Sequence, residues 1–219
     1  MIRIKPVWSC RADGHRGKPW ILTATLLLIR HAAHGHLDRC LSGRMPGVPL
    51  SEAGRDQALA LARRLAGERI DWIDASPLDR TRETAAAIAG PHGLTPEDAP
   101  DLVEIDMGDW TGRAFDTLTD DPDWTRWNQE RGIARIPGGE TMAEAQARIM
   151  AHLRRIARER TGTIGALVTH SDMIRGAVAD ILGLSLDHVL RFDIDPASVT
   201  RVVMGDWGAR LLTLNETAG

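Results

Sequence analysis

The chain has 219 residues, 43% hydrophobic and 26% charged, with a formal net charge of −3 at pH 7. That length suits one domain with a sizeable core, and the slightly acidic balance argues against a nucleic-acid binder, which is usually basic. No apolar run reaches the roughly 18 residues of a membrane span, and two cysteines, Cys10 and Cys40, make neither a disulfide framework nor a zinc quartet.

Reduced thiols then point to a cytoplasmic protein, with a small molecule rather than a nucleic acid or a membrane as its partner; a homodimer stays open. Of the 27 basic residues only Lys5 and Lys18 are lysines. Arginine is therefore the default cation, and only an Arg at meaningful spacing carries information.

In chain order, residues 1–20 read as a loose N-terminal extension and 21–219 as one domain. The apolar stretch Ile21–Ile29 resembles the core of a secretion signal but runs into Arg30-His31 without a convincing small-residue cleavage site. Thr25–Arg30 predicts a buried strand. Ser51–Ala66 predicts a helix, with Ser51 as cap, Ala58, Leu61, Ala62 and Leu65 on one face, and Gly67 at its end. Arg69–Ala75 predicts a second strand.

Ser76-Pro77-Leu78-Asp79 then predicts a helix start, with Ser76 as cap and Pro77 in the first position, running to about Ala89 before Gly90-Pro91. Residues 106–140 break the alternation, with Trp110, Trp124 and Trp127 among acids, glycines and prolines. In a compact domain such a segment reads as a small cap over a site. Thr141 and Glu144 form a capping box that opens a long helix. Ala166–Thr169 is a strand, Ser171 caps a helix, and Val199–Met204 and Ala209–Leu214 are late strands paired through Gly205-Asp206-Trp207-Gly208. The alternation predicts an α/β fold: a three-layer α/β/α sandwich around a mostly parallel sheet.

Three polar clusters follow strands: Arg30-His31, Ser76 to Arg80, and His170-Ser171. In an open α/β sheet the carboxyl ends of strands line one ligand-binding edge, so Arg30, His31, Arg80 and His170 converge if these strands are parallel. Two arginines offer planar, permanently charged forks for a phosphoryl group, and two histidines supply a nucleophile and a further donor. Two other readings stay open at this point. One is a solvated polar turn. The other is a metal-dependent hydrolase using His34 and His36, weakened because Arg39 stands where the run His34-Gly35-His36-Leu37-Asp38 needs a further ligand.

The blocks "LLLIRHA", "GRMPGVPLSEAGRDQA", "ASPLDRTRETA", "LVEIDMGDWTG", "PGGET" and "LVTHSDMIRG" resemble, in order, those of the histidine phosphatase superfamily, also called the phosphoglycerate mutase-like family. The resemblance covers roughly residues 25–214. It implies a metal-independent phosphomonoesterase that needs no cofactor and acts on a small phosphorylated metabolite through a phosphohistidine. His31 is then the nucleophile, Arg30, Arg80 and His170 hold the phosphoryl oxygens, and Glu104 is the acid–base.

A phosphoglycerate mutase-type phosphotransferase is the runner-up, disfavoured because only 66 positions separate Glu104 from His170 and little follows the last strand. A non-catalytic phospho-ligand binder is more remote, since none of the five core residues is missing. The family's Gly, Thr and Asn after the nucleophile are replaced here by Ala32, His34 and Leu37. That leaves His34, Asp38, Arg39 and Arg44 as substrate-side candidates.

Overall fold

The computed structural model describes residues 23–218; the N-terminal extension with Cys10, and Ile21–Leu22 after it, lie outside the described residues. Six strands form one sheet in the order β3-β2-β4-β1-β5-β6. β1 (Thr23–Arg30) pairs in parallel with β4 (Ile164–Thr169), and β4 with β2 (Trp72–Ala75), whose outer neighbour is the two-residue β3 (Glu97–Asp98). On the other side β5 (Val199–Gly205) runs antiparallel to β1 and to β6 (Gly208–Glu216). Only β5 therefore opposes the common direction.

The apolar run of β1 is continuous because both faces of the sheet are covered. Leu26 and Leu28 pack into one core with Ile149 and Leu153 of α4 (Met142–Glu159) and Ile174 and Val178 of α5 (Ser171–Leu182). Leu27 and Ile29 pack into a second core with Leu61 of α1 (Glu52–Leu65) and Ile88 of α2 (Asp79–His92). This is the expected three-layer sandwich.

The caps divide into two kinds. Ser51 accepts from the Gly54 amide, and Thr141 and Glu144 close the predicted capping box. Ser76 and Ser171, however, are not caps: the N-caps are Leu78 and His170. Ser76 is spent on a tertiary contact with His170 instead, described below. α2 also continues past Gly90-Pro91 to His92, ending at Gly93 in the left-handed conformation (φ 64°). A residue before proline is normally barred from the helical region by its Cβ, and Gly90 has none.

Residues 106–140 contain two short 3₁₀ turns, Gly108–Trp110 and Phe115–Leu118, and the helix α3 (Pro122–Gln129), capped by Asp121. Trp110 and Trp127 are fully buried, and Trp110 meets Trp124 edge to face at 5.3 Å. The segment is thus continuous with the core on the α4/α5 side.

The register sets the functional edge. Arg30 pairs with Thr169 and Ala75 with Val168, so His31, Ser76 and His170 emerge side by side. The first turn of α1 supports that edge: Ser51 Oγ donates to the Ala33 carbonyl at 3.2 Å, and an added Cβ on Gly54 would sit 1.8 Å from the same oxygen.

Gly54→Ala gains roughly 1 kcal/mol in helix propensity but forces that backbone contact apart. The expected net result is a loss of about 1–3 kcal/mol in urea unfolding. Gly67→Ala, which meets nothing within 4 Å, should shift stability by less than about 0.5 kcal/mol.

Candidate active site

A cavity of about 310 Å³ opens at this edge, lined among others by Arg30, His31, His34, Arg80 and Glu104. His31 leaves β1 held by its amide on the Thr169 carbonyl (3.0 Å). The next residues are pinned from both helices of the other layer: the Ala32 amide donates to Thr84 Oγ1 (3.0 Å) and the Ala33 amide to Gln57 Oε1 (2.9 Å). His31 Nδ1 lies 2.8 Å from the Ala32 carbonyl oxygen. A carbonyl only accepts, so Nδ1 carries the ring proton and the lone pair sits on Nε2. Burial, then the nearby Arg80 charge, holds the His31 pKa well below its ordinary value.

The His170 ring centroid is 5.1 Å from that of His31. Its Nε2 donates to Ser76 Oγ (2.9 Å), while Nδ1 faces Arg80 Nη2 at 3.4 Å and Glu104 Oε2 at 3.9 Å. Arg80, the second residue of α2, is buried; Nη2 donates to the Gly43 carbonyl at 2.7 Å. Its Nε and Nη1, and Arg30 Nε, have no hydrogen-bond partner among the described residues. Arg30 is half-buried, with Nη1 donating to the Ile194 carbonyl at 2.6 Å; guanidinium nitrogens buried without a partner are costly unless an anion meets them.

Glu104 follows a 3₁₀ turn (Pro100–Leu102), and its Oε1 accepts from the Ile105 amide at 2.9 Å. Burial, then the nearby Asp172 charge, raises its pKa to about 7. Its main-chain carbonyl accepts from Arg44 Nε at 2.8 Å and from Arg148 at 3.4 Å, and Glu140 bridges both arginines at 2.8 and 2.9 Å. Glu140, from the PGGET stretch, thereby ties down the backbone that presents Glu104.

Residues 26–217 match the sequence family described as the histidine phosphatase superfamily, branch 1. The chain belongs to the histidine phosphatase superfamily.

Curated relatives include "Phosphoserine phosphatase 1" of Hydrogenobacter thermophilus, 31% identical over 88% of this chain and 92% of the relative. Another is "Probable phosphoglycerate mutase GpmB" of Yersinia pestis, 35% identical over 70% and 73% of the two chains. Among solved structures, a mycobacterial glucosyl-3-phosphoglycerate phosphatase with VO3 superposes with a TM-score of 0.79. It is 26% identical, over 88% of this chain and 99% of that one.

In this histidine phosphatase the sequence-derived candidates separate. Arg30, His31, Arg80, Glu104 and His170 come together, and His34 joins them, its ring 5.2 Å from His31. His34 Nδ1 accepts from the His36 amide at 3.3 Å, which leaves its Nε2–H as the free donor. Burial, then Arg80, lowers its pKa to about 4. Asp38 stands exposed at the cavity mouth with φ 59°.

Arg39 and Arg44 do not line the cavity, Arg44 being bound behind Glu104. Among the described residues no group of three His, Cys, Asp or Glu side chains is arranged to hold a metal ion. No helix among them is long and apolar enough to cross a membrane.

Sequence reasoning missed the positioning contacts of Ser76 and Thr84 and the polar groups Asn128, Arg131, Asp172 and Arg175 that line the cavity. Asp172 and Arg175 sit inside the quoted block LVTHSDMIRG, so their spacing from His170 was a usable signal. Arg131 carried none in a chain so rich in arginine.

These shifts set the pH dependence of folding. As pH falls below 6.5, the three depressed imidazoles take up protons only in the unfolded chain, so stability is lost on acidification. Glu104 acts in the opposite sense: between its ordinary 4.5 and about 7 the fold holds a proton the unfolded chain has released. Three groups outweigh one. From pH 6.5 to 5, urea denaturation should show stability falling with pH, and Glu104→Gln should steepen that fall.

Proposed function

We propose that this enzyme is a metal-independent phosphomonoesterase that passes a phosphoryl group from a small metabolite through His31 to water. The observation that carries the reading is the half-buried Arg30 and the buried Arg80, each with a buried guanidinium nitrogen that has no partner among the described residues, beside a neutral imidazole whose lone pair sits on Nε2. A phosphoryl dianion satisfies those donors, and Nε2 is then the nucleophile that attacks phosphorus in line. The cavity, closed on one side by residues 106–140 acting as a cap, admits a compact substrate.

Arg30, Arg80 and His170 hold the equatorial oxygens. His170 Nδ1 accepts from Arg80 and becomes a donor to phosphate on gaining a proton, which the dianion favours. His34 presents its Nε2–H beside them. Glu104, with a pKa of about 7, is partly protonated at neutral pH. It gives that proton to the leaving oxygen and then, as a carboxylate, takes one from the water that attacks phosphohistidine. A cytoplasmic location fits thiols kept reduced, Cys40 forming no disulfide among the described residues.

The likeness to the protein named as a phosphoglycerate mutase favours a second reading, in which another hydroxyl replaces water. Product analysis separates the two: a phosphatase releases inorganic phosphate in step with the dephosphorylated alcohol.

Brief incubation of the protein with a phosphomonoester and an alkaline quench should leave acid-labile phosphate on His31. His31→Ala should lose both the label and turnover; intact activity in that variant would overturn the assignment. Vanadate, which adopts a geometry close to the transferring phosphoryl group, should inhibit, and dialysis against EDTA should leave the rate unchanged.

A general acid matters most for a poor leaving group. Glu104→Gln should therefore lower kcat/KM on the order of 100-fold for an alkyl phosphate and much less for p-nitrophenyl phosphate. Equal losses on both would make Glu104 a positioning residue.

A further inference from the structure

The loop 193–198, which leads into β5, holds Arg30 at three points. The Arg30 amide donates to the Ser198 carbonyl and the Arg30 carbonyl accepts from the Ala197 amide, both at 3.2 Å. Arg30 Nη1 donates to the Ile194 carbonyl at 2.6 Å, the only hydrogen bond its side chain makes among the described residues. Ala197 takes φ 59°, a left-handed conformation disfavoured for any residue with a Cβ. Backbone held in that region persists only where surrounding contacts over-determine it.

One of those contacts comes from the outer strand β6. Val199 pairs with Glu216 and Arg201 with Thr213, so Leu214 and Asn215 stand opposite Thr200 alone in a β-bulge. Asn215 is also left-handed (φ 54°), and its amide donates to Thr200 Oγ1 at 3.2 Å. Its side chain clamps the loop: Oδ1 accepts from the Asp195 amide at 2.7 Å and Nδ2 donates to Asp195 Oδ2 at 2.9 Å. The Asp195 carbonyl accepts from the Ser198 amide at 3.1 Å, which closes the turn. Asp195 is exposed and Ile194, beside it, is buried. The turn is thus gripped by Asn215 on its outer side and meets Arg30 on its inner side.

We infer that Asn215 and Asp195 are positioning residues for Arg30: the bulge of β6 clamps the turn whose Ile194 carbonyl aims the guanidinium at a phosphoryl group. This rests on the phosphatase reading above. A long side chain loses much rotamer freedom when its donors are fixed in one place. With a single hydrogen bond on the guanidinium, its aim follows that carbonyl, and a displacement of about 1 Å at such a group can cost on the order of 100-fold in rate. A side-chain amide suits the clamp because it offers an acceptor and a donor at once, matching the Asp195 amide and carboxylate. Asn is also among the few residues other than Gly that tolerate the left-handed region. Both demands meet at position 215.

A carbonyl cannot be removed by substitution, so the test acts on the clamp. Asn215→Gly keeps the left-handed conformation open and removes both side-chain hydrogen bonds. Its kcat/KM for p-nitrophenyl phosphate, a substrate that depends little on the general acid, should fall on the order of 10-fold. In an Arg30→Ala background the same substitution should cost less than about 2-fold further, because the group it positions is gone. Asp195→Ala should fall in the same direction, and Asp195→Asn, which keeps an acceptor for Asn215 Nδ2, should recover most of the loss. Equal losses from Asn215→Gly with and without Arg30, or no loss in either background, would overturn the assignment. Failure of the wild-type protein to hydrolyse p-nitrophenyl phosphate would count against the phosphatase reading instead. In that event a crystal structure of Asn215→Gly decides the positioning: Arg30 Nη1 displaced from the Ile194 carbonyl upholds it, and an unchanged contact overturns it.

Discussion

The parallel pairing of β1 with β4 is the constraint on which the site depends. With Arg30 opposite Thr169, the next residue of each strand is a histidine, and their rings lie 5.1 Å apart although 139 positions separate them. β2, in register with β4, delivers Ser76 to the same edge, and Ser76 fixes which nitrogen of His170 faces the cavity. A slip of one residue would turn side chains to the opposite face of the sheet. Leu27 and Ile29 pack with α1 and α2, Leu26 and Leu28 with α4 and α5. The same alternation that fills both cores therefore sets the geometry of the candidate site.

Against that rigid frame the site is electrostatically unfinished. Arg30 and Arg80 are buried enough that desolvation works against their charge, three imidazoles are held neutral, and Glu104 is held near the point where it gains or loses a proton at neutral pH. None of this favours folding. It persists because the surrounding contacts are many and stiff: Thr84, Gln57 and Ser51 on the loop after His31, and the Glu140–Arg44–Arg148 network behind Glu104. Unmet donors around a neutral imidazole are what preorganisation for an anionic group requires.

The stretch 106–140 serves both purposes. Trp110 and Trp127 are core, yet Trp127 also backs the cavity and carries the Arg131 guanidinium over its ring at 5.1 Å. The sandwich core thus extends into the wall of the cavity. Arg30, His31 and His170 stand at strand ends and Arg80 in the first turn of a helix, where spacing is dictated by the sheet. Asp172 and Arg175 come from the first turns of α5, directly after His170, and Arg131 from the loop after α3.

Much was determined by the sequence alone. The double-faced apolar run of β1, the helix periodicities and the Thr141–Glu144 capping box follow from local chemistry, and polar residues directly after strands mark the ligand edge of any parallel sheet. That reasoning reached Arg30, His31, Arg80 and His170, and ordered motifs added Glu104. Tertiary structure alone decided what depends on partners distant in the chain. Ser76 looked like a helix cap because its local pattern is one, but the hydroxyl is used on His170, 94 residues away. Arg44 looked substrate-facing from its neighbours in sequence, but Glu140 and the Glu104 carbonyl draw it behind the site. Arg131 is one arginine among many until folding buries it against Asp172, because a side chain's charge is local whereas its burial and its counter-ion are set by the whole fold.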